Sequence, residues 1–209
     1  MEGHKINIKV DGVGIANAQG ILLLLHGRGG TAEDIISFAT AHLKPTAATH
    51  IIAPQATNYS WYPNSFLEPV TKNQPWLDSA LELLGVIVAD VERKGFSSQQ
   101  IVIAGFSQGA CLSLEFAARN AKQYGGVIAF TGGLIGEILD KKKYLGDFNK
   151  TKIFIGNSNQ DPHVPLKRSE ESKNILEQLN ANVTLKVYPR MRHTINEDEI
   201  DWVNQHIFS

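Results

Sequence analysis

Gly105-Phe106-Ser107-Gln108-Gly109 decides how this chain is read, because it sits where an apolar strand gives way to a helix. Ile101 to Ala104 is β-branched and short, the pattern of a strand buried on both faces, while Ala110 to Ala121 is rich in helix formers with Leu112, Leu114, Phe116 and Ala117 available for burial. Ser107 therefore falls at the strand-to-helix switch. So sharp a turn crowds the backbone two residues to either side of the serine, and only a missing Cβ at 105 and 109 relieves it. A G-x-S-x-G string by itself is also compatible with an ordinary glycine-bounded loop. The flanking strand and helix are what favour a nucleophile elbow.

Working outward, Ile21 to Leu25 is apolar at every position and runs into His26-Gly27-Arg28-Gly29-Gly30. Thr31 reads as the N-cap of a following helix, and His50 to Ala53 as another buried strand ended by Pro54. Lys5 to Val10 alternates, which predicts a half-exposed antiparallel edge strand turning at Asp11-Gly12. Gln55 to Gln74 reads as a long loop carrying Tyr59, Trp61, Tyr62 and Phe66, and Pro75 as the N1 residue of a helix that closes at Arg93-Lys94-Gly95. Further strands are predicted over 126–131, 152–156 and 183–188, and helices over 166–179 and 197–208. This alternation implies an α/β fold, a mostly parallel sheet with helices on both faces in a single domain spanning 1–209. Ligands then collect at the carboxyl ends of the strands.

Composition narrows the partners. The 209 residues carry a net charge of -1, which supplies no basic field for nucleic acid or anionic membranes. Ile21 to Leu25 is far too short to span a bilayer, where about 20 apolar residues are needed, so no stable membrane insertion is expected. The lone Cys111 allows no intramolecular disulfide and no cysteine-based zinc site, and Met1 to His4 starts no signal peptide. A cytoplasmic protein without metal or other cofactor is the expectation.

A serine hydroxyl needs a base, and the base needs an orienting carboxylate; in this topology they follow the serine in the order acid, then histidine. His193 follows a strand and precedes a helix, whereas His163 shares the loop of the nearest acid and His206 lies near a helix end. Asp161 follows a strand at the same sheet edge, while Asp140 and Asp147 sit among lysines. An oxyanion requires backbone donors: the Gln108 N–H at the start of the elbow helix and, from the glycine-rich loop after the early strand, that of Arg28.

These stretches resemble the carboxylesterase/phospholipase/acyl-protein thioesterase family of α/β hydrolases. The resemblance runs through Leu25-His26-Gly27-Arg28-Gly29, Ala53-Pro54, Gly105 to Ala110, Asp161-Pro162-His163-Val164-Pro165 and His193-Thr194. It implies Ser107 as nucleophile, Asp161 as orienter, His193 as base and oxyanion donors at Arg28 and Gln108. Leu134 and Val164 are pocket candidates by the same resemblance. Trp61 and the other loop aromatics either pack under their loop or line an acyl pocket. Two departures stand out: Gly156-Asn157-Ser158 where members often carry His-Gly, and Arg192 where a glycine often precedes the histidine. Cys111 reads as a small core residue.

The leading expectation is a serine hydrolase acting on carboxylic esters of small to medium acyl chains. An acyl-protein thioesterase or lysophospholipase shares the triad and differs in pocket and lid. A non-catalytic ligand-binding α/β domain is the rival from another class. The sequence leaves the oligomeric state open.

Overall fold

The computed structural model describes residues 3–209. Seven strands form one sheet: β1 (Ile8–Gly12), β2 (Gly20–Leu25), β3 (Thr49–Pro54), β4 (Ile101–Phe106), β5 (Gly126–Phe130), β6 (Lys152–Ser158) and β7 (Asn182–Tyr188). Their order is β1-β3-β2-β4-β5-β6-β7, with β1 antiparallel to β3 and every other pairing parallel. Parallel neighbours need crossovers, and among the described residues five helices lie between strands, α1 (Ala32–His42), the short α2 (Val70–Asn73), α3 (Trp76–Arg93), α4 (Gln108–Arg119) and α5 (Leu166–Gln178), with α6 (Glu197–His206) following the last strand.

The aliphatic runs of β2 to β5 are buried because helices cover both faces of the sheet. On one face Leu23, Ile103, Val127 and Ile155 join α3, α4 and α5 around Leu84, Leu114 and Leu176. On the other, Leu22, Leu24, Ala104, Ile128 and Phe154 meet α1 and α6 through Ile35, Ala39 and Val203. Alternation along each strand thus divides the apolar residues between two cores. Among the described residues, no helix is long and apolar enough to cross a membrane.

Three local expectations change. β1 begins later than predicted, runs through Asp11-Gly12 and is exposed at every position, because it pairs with β3 on one side only and little packs on its faces. Gly12, with φ of 73°, ends it. The 55–74 stretch is not structureless: it holds a helical turn at Thr57–Tyr59 and α2, and buries Trp61, Tyr62 and Phe66. Pro75 sits one residue before the first helical residue of α3, at the cap.

Candidate active site

β4 ends at Phe106, and Ser107 takes φ of 54° and ψ of -116° before α4 begins at Gln108. This strained backbone lifts the side chain off the sheet edge. It persists because both neighbouring glycines are packed against backbone. A Cβ at Gly105 would collide with the carbonyl of Gly109, and one at Gly109 with the carbonyls of Leu25 and His26. The Ser107 N–H is fixed by the Phe130 carbonyl of β5 at 3.0 Å.

The other two strand ends bring their residues to the serine. Ser107 Oγ lies 2.7 Å from His193 Nε2, and His193 Nδ1 lies 2.7 Å from Asp161 Oδ2. The Asp161 side chain is fully shielded from solvent. Burial pushes its pKa up, but the Val164 N–H, His193 and the His163 N–H together outweigh that and hold the carboxyl below its ordinary value. Both amides donate to Oδ1 at 2.8 Å, leaving Oδ2 for the imidazole. An ionised carboxylate only accepts, so Nδ1 carries the ring proton and Nε2 offers its lone pair to the serine hydroxyl.

The loops bearing acid and base are tied to each other. Asn159 N–H donates to the Tyr188 carbonyl at 3.2 Å, and the Arg190 N–H donates to Asn159 Oδ1 at 3.0 Å. Asn157, one of the two departures, is buried and donates to the Val164 carbonyl at 3.0 Å and to Ser169 Oγ at 2.9 Å, anchoring the acid loop to α5. Arg192, the other departure, is exposed. Behind His193, Asn196 caps α6 and exchanges hydrogen bonds with Glu199, whose carboxylate is buried against Gly156. Among the described residues Glu199 Oε1 has no hydrogen-bond partner, and burial raises this carboxyl from 4.5 to about 7.

Both residues expected to supply an oxyanion donor line the cavity that holds the serine. Gln108 is the first residue of α4, so its N–H has no intrahelical acceptor and lies at the positive end of the helix dipole. Arg28 lines the same cavity from the loop after β2. Its guanidinium donates to the Pro63 carbonyl at 2.8 Å and the Asn64 carbonyl at 2.7 Å, fastening the aromatic loop over the site. The Gln108 side chain fastens the same loop from below: Oε1 accepts from the Trp61 N–H at 2.8 Å and Nε2 donates to the Tyr62 carbonyl at 2.8 Å. The sequence alone points only to the Gln108 backbone; the side chain's partners, Trp61 and Tyr62, lie far from it along the chain.

The cavity at Ser107 has a volume of roughly 440 Å³, within the usual range for small-ligand sites. Val164 lines it. Trp61 and Leu134, the other two residues expected at the substrate, are fully buried and do not border this cavity. The Trp61 indole donates to the His26 carbonyl at 2.9 Å and packs on the His26 ring, under the loop. The Leu134 backbone is taken up by Ser172 and Arg168. In their place Tyr62, Phe66 and Cys111 contribute apolar surface, and His163 stands at the mouth with its ring edge-on to His193 at 4.9 Å. Burial pushes the Cys111 thiol up to about 12, so it stays neutral and packs.

A partly buried serine–histidine–aspartate line, two candidate backbone donors and a partly apolar cavity are joined on one edge of an α/β sheet. The family model for phospholipase/carboxylesterase matches residues 13–209. The chain belongs to this family. It is thereby an α/β hydrolase of the ester-cleaving class. Its fold superposes on the crystal structure of a phospholipase/carboxylesterase from Dyadobacter fermentans with a TM-score of 0.97 and 54% identity, covering 100% of this chain and 99% of that one. Acyl-protein thioesterase 1 of Kluyveromyces lactis is 25% identical over 202 residues, 88% of each chain. Against acyl-protein thioesterase 1 of Saccharomyces cerevisiae the identity is 34%, but the match spans about half of each protein, 52% of this chain and 48% of that one.

Proposed function

We propose that this protein hydrolyses carboxylic esters of small to medium acyl chains through an acyl-enzyme on Ser107. The observation that carries this reading is the unbroken line from Ser107 Oγ through His193 to Asp161, with 2.7 Å at each step. His193 Nε2 takes the hydroxyl proton as Oγ bonds to the substrate carbonyl carbon. The carbonyl oxygen becomes an oxyanion, received by the backbone N–H groups of Arg28 and Gln108. As the tetrahedral intermediate collapses, the bond to the leaving oxygen breaks and the imidazolium returns its proton to that oxygen. Water then repeats the sequence on the acyl-enzyme, releasing the acid and restoring Ser107. Asp161 stays ionised throughout and steadies the imidazolium. The cavity volume supports acyl chains of modest length.

A second reading, thioester cleavage on acylated proteins, is favoured by the near full-length match to the Kluyveromyces lactis relative. It uses the same residues, because a thiolate leaves by the same route. Paired rates on an ester and a thioester of one acyl group decide between them. The hydrolase reading itself is tested by a fluorophosphonate probe: wild type labels once, at Ser107, and Ser107→Ala does not label. Folded wild-type protein that stays unlabelled overturns the proposal.

A further inference from the structure

A groove larger than the cavity at Ser107, roughly 1210 Å³, opens between α1 and α6. We propose that it receives the leaving-group half of the substrate and selects alcohols that are apolar and positively charged. This rests on the ester-hydrolase reading above.

The groove adjoins the reacting atoms. Phe106 forms part of its wall and its ring lies 5.1 Å from that of His193; Thr194, the next residue after His193, forms another part. Gly27 borders it too, and a Cβ there would stand 3.6 Å from Ser107 Cβ. Arg28 lines both spaces. The direction of the chemistry assigns the two halves. The proton that His193 takes from Ser107 goes to the leaving atom, so the leaving group departs on the histidine's side. Ser107 and His193 themselves line the smaller cavity, under the loop held by Gln108, and the groove begins beyond the histidine at Phe106 and Thr194.

The chemistry of the walls assigns the ligand class. Ile35, Phe38, Ile195 and Ile200 give an apolar floor, and the rim carries Asp34, Glu197, Asp198 and Asp201. Asp198 is paired with Lys186 and the Tyr188 hydroxyl, each at 2.7 Å, and Asp34 accepts the Thr31 N–H as part of a helix cap. Glu197 and Asp201 are exposed and make no ion pair among the described residues. The groove's one arginine, Arg28, has its guanidinium occupied by the Pro63 and Asn64 carbonyls, and no lysine lines it. Among the described residues, no carboxylate lines the smaller cavity. Substrate charge is thus matched on one side of Ser107 only. Phe38 and Tyr188 add aromatic surface of the kind that favours quaternary ammonium groups.

The test uses butanoate esters in isosteric pairs: choline against 3,3-dimethylbutanol, and the same two head groups on a six-methylene spacer. At low salt, kcat/KM should favour the cationic member about fivefold for at least one spacer, as expected for two exposed carboxylates. The preference should fall toward one in Glu197→Gln/Asp201→Asn and on raising salt, with the neutral ester unaffected. A wild-type ratio of one or less at both spacers, or a preference the double substitution leaves intact, overturns the assignment. p-Nitrophenyl acetate, too small to need the groove, separates the two failures. Its turnover without cationic preference removes the groove proposal alone, whereas no turnover and no fluorophosphonate labelling removes the hydrolase reading and this proposal with it.

Discussion

Replacing Glu199 by glutamine should change how stability depends on pH more than it changes stability itself. The carboxyl is wholly buried behind the His193 loop, with Oε2 accepting the Asn196 N–H at 2.8 Å and Oε1 unpartnered. Burial raises it from 4.5 to about 7, so between these values the folded protein holds a proton that the unfolded chain has released. Stability from this group is therefore full below about pH 4.5 and is lost as pH rises through 7. Linkage over that window gives a loss of about 2.5 kcal/mol between pH 5 and pH 8. Urea unfolding of wild type and Glu199→Gln at both pH values measures it. Glutamine keeps the acceptor for Asn196 and cannot titrate, so the stability difference between the two proteins should shift in the variant's favour by about that amount at pH 8 relative to pH 5. A difference that stays constant to within about 0.5 kcal/mol, the scatter expected of two independent effects, refutes the buried-proton account.

Arg28→Ala should leave kcat within about tenfold of wild type, since the proposed donor is its backbone N–H, while Arg28→Pro, which removes that N–H, should lose on the order of 10²-fold or more. The alanine variant should also make the 62–66 loop more accessible to protease, because its two carbonyl contacts go; unchanged cleavage contradicts the fastening role. Gln108→Ala keeps its N–H but frees Trp61 and Tyr62 from the clamp, so KM should rise more than kcat falls, and the reverse pattern argues against loop anchoring. Cys111→Ser should retain most ester hydrolysis; abolition in a folded variant, judged by circular dichroism, refutes a packing role.

The sheet was legible because burial on both faces writes itself as unbroken aliphatic runs, as in Ile21 to Leu25 and Ile101 to Ala104. The Ser107, Asp161 and His193 geometry was legible for a related reason: each follows a strand, and a parallel sheet brings its carboxyl ends to one edge. The 55–74 loop was not legible. Its aromatics are equally suited to packing or to lining a pocket, and what separates Trp61 from Tyr62 is partners distant in sequence, Gln108 and His26, that no local pattern reports. His163 reads in the sequence only as a neighbour of the acid, yet its ring stands against His193. A single-sided edge strand such as β1 retains alternation without burial, because pairing to β3 alone fixes its register.

The account turns on Ser107 and His193 acting as one unit, and the most direct measurement is ester hydrolysis by Ser107→Ala, His193→Ala and the double variant. Each single substitution should cost on the order of 10⁴-fold or more in kcat, and the double variant should be little worse than either. Losses that multiply in the double variant, or a folded Ser107→Ala that still turns over ester near the wild-type rate, would contradict it.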